Sequence, residues 1–176
     1  MMIERCCAFT GHRPKKFPWG YDEADSRCVA LKQALAEQIV SLVGMGYTDF
    51  FSGMAEGVDA WAALAVLSLK KENSALKLHS ILPCEGQADG WSASARELYD
   101  SILEEADEVV YVSREYSKDC MLKRNRYLVD HSSCQQAGGM IDQVAVPFQH
   151  AIFAVLPAHI YNLVRLFQNR IIKFPR

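Results

Sequence analysis

The sequence predicts an α/β fold in which a doubly wound, mostly parallel sheet carries helices on both faces, and three observations predict it. Short apolar runs alternate with longer segments whose apolar residues recur at helical spacing. The first two runs end in glycine-bearing loops. The helical segments are long enough to return the chain to the same end of a sheet, which implies parallel pairing. Right-handed crossovers then give the doubly wound arrangement.

Residues 5–9 are a compact apolar run that stops at Thr10 and Gly11, as a short buried strand does before a sharp loop. Residues 22–44 read as a loop entry and a helix. Val29, Leu31, Leu35, Ile39 and Leu42 recur at helical spacing there, and Gly44 and Gly46 stand where it ends. Residues 49–52, with Phe50 and Phe51, form the next strand, 53–59 the loop after it, and 60–71 a helix containing Trp61, Leu64, Ala65 and Leu67 near one face. The alternation repeats with a strand over 76–82, a helix over 93–106 and a strand over 108–113. Residues 120–130 read as one more helix, with basic residues on its early turns and with Leu122, Leu128 and Val129 facing inward.

A chain of 176 residues with a formal net charge of −2 has the size of one domain, taken here as residues 1–176, and lacks the basic excess of a nucleic-acid binder. Residues 1–10 lack the basic start and long apolar middle of an export signal, and no stretch reaches the length of a membrane span. A cytoplasmic protein without a membrane partner is expected. Cysteines at 6, 7, 28, 84, 120 and 134 form no CxxC pair and no disulfide framework, so unpaired, mostly buried thiols are expected. The five histidines are scattered, and no metal site is expected.

In doubly wound sheets ligands gather at the carboxyl ends of the strands, so the first two strand-to-helix loops are the places to search. In the first, Gly11 permits a tight turn or close approach, His12 offers a donor or an acid–base group, Arg13 offers a planar fork of donors for phosphate or carboxylate, and Pro14 stiffens the exit. The plainer reading is a well-made turn. In the second, Ser52 and Gly53 leave the strand and Gly57 immediately precedes a helix. This arrangement predicts free backbone N–H groups facing an anion, with Gly53 and Gly57 lining one end of a pocket where a side chain would occupy the phosphate's space or force an unfavourable backbone. It is neither the GxGxxG fingerprint nor a P-loop. Asp59 reads equally as a first-turn acid or as an acceptor for ribose hydroxyls, Glu56 reads more as a surface acid than as a catalyst, and Trp61 reads as core. On the third cluster Arg124 and Asn125 can reach ligand oxygens, against the plainer reading of a solvated basic face.

Taken together, Gly11-His12-Arg13-Pro14, Ser52-Gly53 through Gly57-Val58-Asp59 with Trp61-Ala62-Ala63, and Arg124-Asn125-Arg126 with Asp130 resemble the YpsA-like branch of the SLOG superfamily. The resemblance covers about residues 1–133. It implies a Rossmann-like fold and a pocket for a nucleotide-derived ligand of the ADP-ribose or NAD type, in a sensor or, in related branches, a ligand-processing enzyme. From Cys134 onward the chain departs from that pattern. The cytokinin-activating phosphoribohydrolases, a related branch, carry Pro-Gly-Gly-x-Gly-Thr-x-x-Glu, whereas Gly138-Gly139 here lack the following Thr and Glu. The expectation is a cytoplasmic sensor that binds a small nucleotide-like molecule, needs no further cofactor, and engages a protein partner or a second copy of itself. The alternative is a nucleotide N-glycosidic hydrolase using Glu56 or Asp59. Single-stranded nucleic acid is a weaker alternative, opposed by the charge.

Overall fold

In the computed structural model, which describes residues 5–132, four strands and four helices alternate along the chain. They are β1 (Cys6–Phe9), α1 (Ser26–Gly44), β2 (Asp49–Ser52), α2 (Val58–Lys70), β3 (Lys77–Leu82), α3 (Ala93–Glu105), β4 (Glu108–Tyr111) and α4 (Cys120–Asp130). A short 3-10 turn, Pro14–Lys16, lies in the long excursion between β1 and α1. The strands make one all-parallel sheet in the order β1-β2-β3-β4, with Cys7 beside Phe50, Phe50 beside Leu78, and Ile81 beside Val110. This is a Rossmann-like α/β fold. The helices lie on both faces, as the sequence predicts.

The period-two alternation of strand side chains sorts the core into two layers. Cys7, Phe9, Phe50, Leu78 and Leu82 point to one face and form the larger core with α1, α2 and α3. Cys6, Ala8, Phe51 and Ile81 point to the other face and pack on Leu128 of α4. Three successive crossovers place α1 to α3 on the same side, and the chain changes sides after β4. There α4 runs back over the sheet to touch both β3 and β1.

Helix α1 starts where Asp25 accepts from the backbone N–H of Arg27 at 2.8 Å. Its buried stripe is Cys28, Lys32, Leu35, Ile39 and Leu42, so Val29, expected in that stripe, faces outward. Lys32 is tolerated inside because its ammonium pairs with Glu23 at 2.7 Å and lies 5.0 Å from the centre of the Trp61 ring. Helix α4 is also rotated from the sequence expectation. Its buried residues are Cys120, Arg124 and Leu128, at a spacing of one helical turn, while Leu122 and Val129 are 69% and 45% exposed. That rotation carries Arg124 toward the sheet.

Candidate functional site

The segments that follow β2, β3 and β4 meet at one atom, the backbone carbonyl oxygen of Gly53. It accepts from Arg124 Nη1 at 2.9 Å and from Gln87 Nε2 at 3.3 Å, while the same Gln87 amide donates to the Met54 carbonyl at 2.7 Å. Arg124 is held from its other side by Asn125, whose Oδ1 accepts from Nε and Nη2 at 3.1 and 2.8 Å. The turn after β2 is tight. Met54 takes a positive φ of 55°, which costs a residue with a Cβ on the order of 1 kcal/mol. Ser52 fixes the turn, its hydroxyl accepting from Met54 N–H at 3.1 Å and donating to the Asp59 carbonyl at 2.9 Å.

Asp59 lies beneath these loops and is 1% exposed. Its Oδ1 accepts from the Gly11 N–H at 2.9 Å, joining the first loop to the second. Its Oδ2 has no hydrogen-bond partner and faces Arg124 Nη1 across 3.6 Å, an ion pair longer than a hydrogen bond. Burial pushes the Asp59 carboxyl up to about 6, against the pull of Arg124, the backbone N–H groups of Gly11 and Ala55, and Arg13. Burial likewise lowers the Arg124 guanidinium, with Asp59 opposing and Arg13 adding to the shift. Desolvation outweighs attraction for both partners, as expected of a buried pair that does not close to hydrogen-bond distance.

The glycines serve this packing. A Cβ at Gly53 would stand 2.4 Å from Arg124 Nη1, one at Gly11 would stand 2.6 Å from Cβ of Val58, and one at Gly57, whose φ is 92°, would stand 2.6 Å from the His12 carbonyl oxygen. The side-chain space at Gly53 and Gly57 is filled by the protein, and the positive φ of Gly57 is the backbone constraint that the sequence offers as the other reason for a glycine. Two of the donors in the first turn of α2, Val58 and Ala60, have backbone partners. The Val58 N–H points to the His12 carbonyl at 3.4 Å, Ala60 donates to Ala55, and Trp61 donates to Gly57. A helix start docked onto a neighbouring loop in this way presents less bare dipole than the glycine spacing suggests.

What remains open to solvent is the outer rim. His12 and Asn125 are exposed, Arg13 and Glu56 are half-buried, and Gly11 is partly accessible. Arg13 lies near enough to Asp59 and Arg124 to act on both electrostatically. Ion pairs among the described residues engage Arg27, Lys32, Lys70, His79 and Arg124, and Arg13 is in none of them. Trp61 is core, and its indole N–H donates to Glu23 at 3.2 Å. Phe17 stacks on Trp19 at 4.7 Å and lies 6.0 Å from His12 and from Trp61, so the excursion after the first loop builds an aromatic wall beside the rim.

Sequence reasoning thus locates Gly11, Ser52, Gly53, Gly57, Asp59 and Arg124 in one contiguous cluster. It misses Gln87, although the glycine at 86 after the third strand was a signal of the same kind as those after the first two. Gly138 and Gly139 lie outside the described residues. Among the described residues there is no group of His, Cys, Asp and Glu side chains that could hold a metal ion, and no helix long and apolar enough to cross a membrane.

Comparison with known proteins adds a family. The model of the YspA SLOG family matches residues 7–138, which include every residue of the cluster. A UPF0398 protein of Halalkalibacterium halodurans is 34% identical over 104 residues, covering 58% of this chain and 55% of that protein. One from Bacillus pumilus is 31% identical over 126 residues, 70% of this chain and 67% of the relative, and one from Bacillus velezensis is 27% identical over 128 residues, 71% and 69%. The chain therefore spans about half to two-thirds of the length of these relatives.

Proposed function

Because the chain belongs to the YspA SLOG family, we propose that it is a cytoplasmic binding protein for a phosphate-bearing, nucleotide-derived small molecule of the ADP-ribose or NAD type, and that it passes occupancy to a protein partner. The observation that carries this reading is the charge balance at the carboxyl end of the sheet. Two guanidinium groups, Arg13 and Arg124, share a single buried carboxylate, Asp59. The excess positive charge sits at the rim, on a half-buried arginine in no ion pair with a described residue, where an anion can meet it.

In this reading Arg13 clamps the phosphate. His12 and the Gly11 loop flank it, and Asn125 presents a polar group from α4. Ser52, Gly53, Gly57, Asp59 and Arg124 act one layer below, holding the two loops at the separation the ligand needs.

The hydrolase reading is favoured by one observation, the elevation of the Asp59 carboxyl toward neutrality, which suits a proton-transfer group. Its burial and its bond to Gly11 oppose that role, and Glu56, half-buried on the loop before α2, is the more accessible acid.

Calorimetric titration of the full chain with ADP-ribose, NAD and AMP, followed by chromatography of the mixtures, tests both readings. Binding without release of base or ribose phosphate is expected. Arg13→Ala should weaken binding on the order of 10- to 100-fold with the melting temperature unchanged. Unaltered affinity in that variant would remove the clamp, and release of free base would favour the hydrolase.

A further inference from the structure

Among the described residues, the buried side-chain atoms that lack a hydrogen-bond partner are Trp19 Nε1, Asp59 Oδ2, Ser80 Oγ, Gln87 Oε1 and Ser113 Oγ. Asp59 Oδ2 at least faces the Arg124 guanidinium, and the hydroxyls of Ser80 and Ser113 can turn about their own bonds. Trp19 Nε1 is a donor on the aromatic wall, outside the cluster around Gly53. Gln87 Oε1 is an acceptor inside that cluster, and it cannot turn. The Gln87 Nε2 donates to the Met54 carbonyl at 2.7 Å and reaches the Gly53 carbonyl at 3.3 Å. Turning the amide over would set its oxygen against two carbonyl oxygens, so these bonds determine which end is nitrogen. The oxygen at the other end keeps its lone pairs without a donor, an arrangement that costs free energy until a donor arrives.

Gln87 lies in the turn after β3, half-buried, next to the exposed Glu85 and Gly86. It shares the Gly53 carbonyl with Arg124, the guanidinium on which Arg13 acts from the rim. A fixed acceptor therefore stands beside the cationic rim.

We propose that Gln87 is a specificity-determining residue of the rim, its amide oxygen accepting from an N–H or O–H donor on the bound molecule. This rests on the reading of the rim as an anion site. A phosphate supplies the negative oxygens that Arg13 takes, whereas an amide oxygen takes only a donor. The two groups together select a phosphate ester that carries donors on its organic part, as a nucleotide does in its ribose hydroxyls or its exocyclic amino group. The oxygen is shielded in the free protein, so the donor reaches it by displacing part of the exposed turn. A molecule without the donor leaves the acceptor unpaired, which is the difference on which a hydrogen-bonding site discriminates most sharply.

The test is calorimetric titration of the full chain, as the parent and as Gln87→Met, with three probes. They are AMP, its dideoxyribose analogue, which lacks both ribose hydroxyls, and purine riboside monophosphate, which lacks the amino group. In the parent one analogue should bind on the order of 10- to 100-fold more weakly than AMP, and which one it is identifies the donor. In Gln87→Met that gap should close to within about threefold, because AMP loses its acceptor and the analogue had none to lose. A Gln87 that only holds the turn through Nε2 would instead weaken all three probes alike and keep the gap. Equal binding of the three probes by the parent overturns the proposal without any variant, and an unchanged gap in folded Gln87→Met also overturns it. Failure of the parent to bind AMP overturns it too, and a parallel titration with ADP-ribose then shows whether the anion reading of the rim fails with it.

Discussion

A Cβ at position 53 would meet Arg124 Nη1 at 2.4 Å and Asp59 Oδ2 at 2.8 Å, both nearly immobile ends of a buried ion pair. Gly53→Ala is therefore expected to lower stability by about 1–3 kcal/mol through overpacking, before any question of ligand arises. Urea denaturation of the variant checks this, and a stability within ~0.5 kcal/mol of the parent would mean that Arg124 can withdraw freely. Asp59 sets a pH dependence of unusual sign. Its carboxyl moves from 3.8 to about 6 on folding. In that window the folded protein holds a proton that the unfolded chain has released, so this group's contribution is full below pH 3.8 and lost as pH rises through about 6, on the order of 3 kcal/mol. Stability of the parent minus that of Asp59→Asn, measured by urea unfolding from about pH 4 to about pH 7, should decline as pH rises. A difference that stays flat would return Asp59 to an ordinary carboxyl.

At the scale of the element, α4 decides how the cluster is built, and it is where the sequence was hardest to read. Its stripe of Cys120, Arg124 and Leu128 faces the sheet while Leu122 and Val129 face out. Leu128→Ala should cost about 2–4 kcal/mol and loosen Arg124, whereas Leu122→Ala should stay within ~0.5 kcal/mol, both read from urea midpoints. Equal losses would mean that the helix is turned the other way. The order and type of all eight strands and helices were legible, because period-two and period-3.6 patterns are strong when strands and helices are buried on a shared core. The helix rotation was not, because burying an arginine needs a carboxylate and a carbonyl supplied from positions 59 and 53, far along the chain. For the same reason the sequence indicated which glycines mattered, and the backbone constraint met at Gly57, but not which groups fill the space beside them. A residue pattern shows that a Cβ is excluded, and only the packing shows that Val58, Arg124 and the His12 carbonyl exclude it. Gln87 carried no pattern beyond a nearby glycine, since a single amide reaching two carbonyls leaves no periodic trace.

At the scale of the whole molecule, Asp107 joins a helix to the sheet by polar contacts. Its Oδ2 accepts from Lys70 Nζ at 2.6 Å and from the Leu78 N–H at 2.9 Å, linking the start of β4 to α2 and β3. Burial pushes this carboxyl up, but the Lys70 ammonium and the Leu78 N–H outweigh it and hold it below its ordinary value. A lowered value contributes stability above the ordinary carboxylate range and loses it as pH falls through the folded value. Asp107→Asn should therefore destabilise by about 1 kcal/mol near neutral pH, discounted for partial exposure, and by less near pH ~3. Equal effects at both pH values would show that the bond to Leu78, rather than the charge, is what matters. The sequential strand order also has a consequence for synthesis. Each strand pairs with the one before it, so the sheet and its larger core can be laid down as the chain leaves the ribosome, each new strand finding its neighbour already waiting. Arg124 arrives only after all four strands, so a nascent protein halted before α4 would enclose Asp59 with only Arg13, at the rim, to act on it. That half-made molecule should hold its proton more tightly than the finished one, and the arrival of Arg124 marks the moment at which the buried carboxylate gains a buried counter-charge.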